Sequence, residues 1–167
     1  MKINIVRGIL IIFLIGIFSM IFGFSNQNGT ESSKTSEKVT ILITKNVKSI
    51  QNKQSAEKEK IIFYIEGIVR KIAHFTIYMI VGILIRTLCQ TYKIHEIDKF
   101  GISIITGIIY ATADEIHQAF IPGRSSMFID VLIDTMGTTT GILIIMIIIE
   151  ICKKINLNKD NHKYLVN

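Results

Sequence analysis

The chain has no tryptophan, a single proline and only two cysteines in 167 residues. Cys89 and Cys152 are far apart and form neither a disulfide framework nor a metal-binding spacing. Each sits near the end of a hydrophobic block, where a small apolar side chain is ordinary. With Pro122 the only helix breaker of its kind, long stretches run without interruption. Apolar and polar residues do not alternate over these stretches, which argues against strands. There is also no cluster of basic residues on one polar face. The net charge of +6 is spread over connecting segments and the C-terminal end, and this excludes nucleic acid as an expected partner. No glycine-rich phosphate loop and no Ser/His/Asp arrangement stands out.

Hydrocarbon is abundant: 49% of the residues are hydrophobic, and they fall in blocks long enough to cross a hydrocarbon core of roughly 30 Å as helices. Only helices satisfy their own backbone groups in such blocks. The expected fold is all-α, a polytopic membrane protein with four transmembrane helices at about 3–24, 72–88, 100–120 and 127–151. The first block is too long for a signal peptide, and no small-x-small cleavage site follows it cleanly. The membrane domain covers 1–152, and 153–167 forms a basic, loosely ordered cytoplasmic tail.

A polar loop, 25–60, separates the first two blocks. Its start, FSNQNGTESSKTS, reads as a turn or loop. Within it Val39, Leu42, Ile43, Val47 and Ile50 recur at helical spacing, and Ser36 is placed to cap a helix there. That pattern predicts an amphipathic interfacial helix on the bilayer surface. Lys2 and Arg7 precede the first block, and Lys153 and Lys154 follow the last, so both termini are expected in the cytoplasm. Both cysteines then face a reducing compartment as free thiols.

Against this background the stretch Ala113–Gly141 is unusual. It holds Asp114, Glu115, His117, Gln118, Arg124, Asp130 and Asp134 between two nearly pure hydrocarbon runs. An ionisable group inside a membrane helix costs roughly 2.5–3.5 kcal/mol on insertion scales, so it persists where it has partners, water or a function. Arg70, His74 and Tyr78 share one helical face of the second block at spacings of four, with Lys71 beside them. Pro122-Gly123 turns the chain between the third and fourth blocks, and Ser125-Ser126 reads best as the cap of the fourth. Asp130, Asp134, Gly137 and Gly141 share a face, and the two glycines form a small-xxx-small contact surface.

The expected outcome is one polar cavity at the outer end of the bundle. Candidate acid–base residues are His74, Asp114, Glu115 and His117. Candidate ligand-binding residues are Arg70, Lys71, Tyr78, Gln118, Arg124, Asp130 and Asp134, the arginines for an anionic group and Asp130 to orient Arg124 or a histidine. A metal held by His74, His117 and a carboxylate is weighed and set aside, because Glu115 and His117 leave the helix on different faces; no metal and no cofactor is expected. A purely structural network is the main alternative, since buried ion pairs often only set packing. A proton-coupled carrier is a weaker one, as four spans are few and no inverted repeat is visible.

The motifs FSNQ (Phe24–Gln27), RKIAHFTIY (Arg70–Tyr78) and DEIHQAFIPGR (Asp114–Arg124), followed by Asp130, Val131 and Gly137, resemble the VanZ-like family of small bacterial membrane proteins. The resemblance covers nearly the whole chain in order. It implies a multi-pass cell-membrane protein linked to low-level resistance to teicoplanin, a glycopeptide antibiotic with a lipid tail. It supplies no reaction. The partners expected are membrane lipids and an anionic lipid-linked cell-wall precursor, with homo-oligomerisation left open.

Overall fold

A computed structural model describes residues 2–45, 47, 50, 54–124 and 127–165. Five helices follow one another: α1 (Lys2–Ser25), α2 (Gly29–Thr44), α3 (Ser55–Gln90), α4 (Glu96–Ala119) and α5 (Phe128–Leu165). Among the described residues there is no strand.

Three of these, α1, α3 and α5 as far as Asn156, are long and apolar enough to cross a membrane. α1 is apolar all round: it buries only Leu14, Ile21 and Ser25 against the protein and leaves Ile5, Ile12, Phe13 and Ile15 outward, the signature of a helix whose solvent is lipid. The fourth expected span corresponds to α4. Its 24 residues carry Glu96, Asp98 and Lys99 at one end and Asp114 and Glu115 at the other, which leaves a shorter apolar middle. The fourth block also runs on beyond its expected end at 151: the helix continues through Leu165, so the tail begins as an extension of α5.

α3 and α5 run parallel and touch backbone to backbone. A Cβ on Gly137 would lie 2.3 Å from the carbonyl oxygen of Phe75, and one on Gly141 would lie 2.0 Å from that of Met79. α4 runs antiparallel to both. α1 crosses them with its start tied to the α3–α4 connection, where Arg7 donates to the Thr91 carbonyl at 2.5 Å and to Thr91 Oγ1 at 3.0 Å. The guanidinium also lies over the Tyr92 ring, 4.1 Å from its centroid. The core between them is Leu14, Ile21, Tyr78, Val81, Ile85, Cys89 and Ala111.

The polar loop differs from expectation in three ways. Its beginning is not a loop: only 26–28 turn, and α2 starts at Gly29 under a capping box, with the Asn28 side chain accepting from Glu31 N at 2.9 Å while Glu31 Oε2 accepts from Asn28 N. The cap is therefore Asn28, and Ser36 lies buried in mid-helix. The face that packs on α3 is the hydroxyl side, which leaves the apolar stripe free to meet the bilayer surface. Ser32, Ser36, Thr40 and Thr44, four apart, are buried, whereas Leu42 and Ile43 point away from the protein. Small hydroxyl side chains let the helix axes approach, and two return their hydrogen bonds to their own helix, Ser36 to Ser32 O and Thr44 to Thr40 O. Val47 and Ile50 fall beyond the end of α2. The second block, in turn, is one unbroken helix of 36 residues, about 54 Å long at 1.5 Å per residue. It extends well past the span expected at 72–88, and its first half lies beside α2.

Candidate functional site

The end of α1, the middle of α3, the end of α4 and the start of α5 meet at one level. Ser25 closes α1 and donates to Asp114 Oδ1 at 2.5 Å. Asp114 Oδ2 accepts from Gln118 Nε2 at 3.0 Å and from the Tyr78 hydroxyl at 3.3 Å. Gln118 also reaches Ser25 Oγ at 3.2 Å. Three neutral donors from three helices thus converge on one buried carboxylate. This lets an anion sit in an apolar bundle, because hydrogen bonds to the charged form offset its lost hydration.

Beside it His74 of α3 faces Asp134 of α5, with Nδ1 3.3 Å from Oδ1 and 3.5 Å from Oδ2. Asp134 is fully buried. The small residues below it decide this placement: Gly137 and Gly141 bring α5 against α3 just where the histidine and the aspartate must meet.

Arg124, in the turn after α4, uses its guanidinium on the end of α1. Nη2 donates to Phe24 O at 2.7 Å, Nε to Gln27 O at 3.2 Å and Nη1 to Gln118 Oε1 at 3.1 Å. The last carbonyls of a helix lack intrahelical donors and carry the negative end of its dipole, so a cation there is favourable. Partial burial and the nearby Arg70 charge push the Arg124 pKa down. Two guanidiniums thus face one region, a condition that an anion relieves. The same corner is closed by glycines: Gly29 N donates to Pro122 O at 3.2 Å, and Gly123 turns with φ of 75°.

A cavity of about 130 Å³ opens at this level, lined by Arg70, Lys71, His74, Gln118, Arg124, Asp130 and Asp134 together with Gly67, Met127 and Ile133. A second, more apolar cavity of about 200 Å³ lies between α2 and α3, lined by Phe24, Val39, Val69, Ala73 and Ile77 among others. The two share Arg70, His74 and Arg124.

The structure therefore brings most of the residues singled out from the sequence to one level. Arg70 reaches Ser33 Oγ at 3.4 Å, and Lys71 is exposed at the cavity rim. Tyr78 and Gln118 orient Asp114. Glu115 turns away from this cluster to accept from the Met127 backbone at 2.7 Å, at the start of α5. His117 stacks on Phe22, ring centroids 4.7 Å apart, on the α1 side. The proposed cap Ser125-Ser126 lies outside the described residues.

Two further features were not anticipated. Ser25 is one; it sits inside FSNQ, but a serine at a helix end gives no periodic signal. The other is a second polar layer at the opposite end of the bundle. There the fully buried Arg86 donates to Glu96 Oε2 at 2.5 Å, and Lys99 donates to Glu96 Oε1 and Gln90 Oε1, both at 2.8 Å. Hydrogen bonds from Lys99 and then Arg86 hold the Glu96 carboxyl down at about 2. The stripe Arg70, His74, Tyr78 continues at the same spacing through Gly82 to Arg86, so the sequence did carry a signal for it.

These features define an α-helical membrane protein with a buried polar centre between its apolar helices. The chain belongs to the VanZ/LLP1 family, whose model matches residues 10–149. No curated protein and no solved structure matches the chain.

Proposed function

We infer that this VanZ-like protein crosses the bacterial cell membrane four times, with α4 as the fourth span and both termini in the cytoplasm, and binds an anionic lipid-linked envelope component at the outer end of the bundle. Bound there, the component is sequestered or altered so that teicoplanin and related lipoglycopeptides act less well. The observation that carries this reading is the joined pair of cavities. One is polar and offers three cations, Arg70, Lys71 and Arg124, against two carboxylates, Asp130 and Asp134. The other is mostly apolar and opens from the first at Arg70, His74 and Arg124. An amphiphile with a phosphate-like head and a hydrocarbon tail matches both at once: guanidiniums suit planar or tetrahedral oxyanions, and the apolar lining accepts the chain. His74 lines both cavities, where it would exchange a proton with that head or hold it in place, with Asp114 buried behind it.

The test separates binding from folding. Arg124 is a poor probe, because it caps α1. Arg70→Gln with Lys71→Gln changes the cavity while leaving that cap intact. Lipid mass spectrometry of the purified protein should find an anionic lipid with the native chain and at least tenfold less with the double variant, at equal membrane abundance. Teicoplanin sensitivity of a host expressing the protein should rise in step. Equal lipid occupancy in both proteins would end this reading. A structural reading is the rival, favoured by Arg124 directing its hydrogen bonds to Phe24, Gln27 and Gln118. On that view any loss of function tracks loss of folded protein.

A further inference from the structure

We propose that His74, Asp114 and Asp134 form a binding site for one divalent transition-metal ion, of the zinc or manganese class. The three residues come from α3, α4 and α5, and each offers one ligand atom such that all lie within 4.8 Å of one another. Ligands at about 2.0–2.2 Å from a zinc-like ion stand roughly 3–4 Å apart, so the trio closes on an ion with small side-chain adjustments.

Three independent features point to a cation here. Asp134 is 0% exposed and its Oδ1 accepts no hydrogen bond. Its contact with His74, at 3.3 and 3.5 Å, is loose beside the 2.7–2.9 Å or so of a charge-assisted pair. Imidazole and carboxylate face each other without closing. Next, among the described residues no lysine or arginine forms an ion pair with Asp114 or Asp134. Arg124 turns to α1 carbonyls and Gln118, Arg86 to Glu96, and Arg70 towards the Ser33 hydroxyl at 3.4 Å and the polar cavity. Two carboxylates in apolar surroundings call for a positive charge between them. Finally, Asp114 is fixed by Ser25, Tyr78 and Gln118, the kind of outer hydrogen bonding that orients metal-bound carboxylates.

One nitrogen and two oxygens suit zinc or manganese and are too few and too soft for calcium, which takes six to eight oxygens. His74 and Asp134 also line the polar cavity, from which water or an anionic oxygen would complete the shell. The site stands whether or not the lipid reading holds.

The full chain, purified in detergent and stripped with EDTA, is equilibrated separately with Zn²⁺ and Mn²⁺, desalted and assayed for bound metal. Co²⁺ is then added, and its visible absorption reports nitrogen and oxygen ligation. The native chain should retain about one ion per polypeptide. His74→Gln and Asp134→Asn should each weaken binding at least tenfold, whereas His95→Gln, at an exposed surface position, should change nothing. Asp134→Asn removes a buried charge and can misfold, so monodisperse His74→Gln decides the comparison. A native chain that keeps neither metal overturns the proposal, and so does His74→Gln binding as tightly as native. Arg70→Gln with Lys71→Gln should leave metal content unchanged; loss of lipid alone in that variant bears only on the lipid reading.

Discussion

Ser25 is a small residue with a large local consequence. Its hydroxyl is the shortest donor to Asp114 and also accepts from Gln118. Ser25→Ala leaves Asp114 Oδ1 buried without that donor, a loss of about 1–3 kcal/mol. The expected result is a lower thermal midpoint in detergent, with Ser25→Thr retaining most of the stability. The buried Cys89 reports unfolding directly through a thiol-reactive dye, once the exposed Cys152 is replaced by serine. An unchanged midpoint in Ser25→Ala would mean that the contact to Asp114 contributes little. At this scale the sequence was partly legible. Charged residues in hydrocarbon announce themselves by their cost, so Asp114, His74, Asp134 and Arg124 were found. What each one touches was not legible. Glu115 and His117 sit beside Asp114 in sequence, yet helix geometry sends one to the α5 backbone and the other to Phe22. Ser25 costs nothing in a helix end and so left no trace.

Helix contacts rest on glycines that sit against backbone. At Gly141 even a methyl group would meet Met79 O at 2.0 Å and Ile83 N at 2.9 Å. Neither neighbour is a flexible side chain, so α3 and α5 must part. Gly141→Ala should therefore destabilise the protein by roughly 1–3 kcal/mol and widen the His74–Asp134 gap. Gly8→Ala, where nothing lies within 4 Å, should be neutral or gain from the better helix propensity of alanine, up to about 1 kcal/mol. Comparing dye-detected midpoints of the two variants checks this; equal effects would remove the close-contact argument. The small-xxx-small spacing made this interface readable beforehand. For α2 the apolar stripe was legible as the side that meets the bilayer surface, but no periodic apolar signal marked the hydroxyl side that packs on α3. Where lipid or an interface surrounds a helix, Ser32, Ser36, Thr40 and Thr44 can pack inward and Leu42 and Ile43 outward.

The whole molecule is an apolar bundle closed by two polar layers of different make. One layer ties Arg86 and Lys99 to Glu96 in short ion pairs and Arg7 to the Thr91 carbonyl, although Arg86 Nε and Nη1 are left without a hydrogen-bond partner. The other, with Asp114, His74, Asp134, Arg70 and Arg124, keeps cavities and a loose histidine–carboxylate contact. A closed layer suits an anchor and an open one suits a ligand. On the orientation proposed above, from the Lys and Arg flanking the chain's two ends, the closed layer would lie on the cytoplasmic side. Single cysteines placed in a chain lacking Cys89 and Cys152 test this. Phe120→Cys, at a side chain 80% exposed beside the open layer, should react with a membrane-impermeant maleimide in intact cells. Lys93→Cys, beside the closed layer, should react only after the membrane is permeabilised. The reverse pattern would place the cavities in the cytosol, and a ligand from the outer leaflet would then have no route to Arg70 and Arg124. The metal site would be untouched by that result, since His74, Asp114 and Asp134 are held by contacts within the bundle and not by which side of the membrane they face.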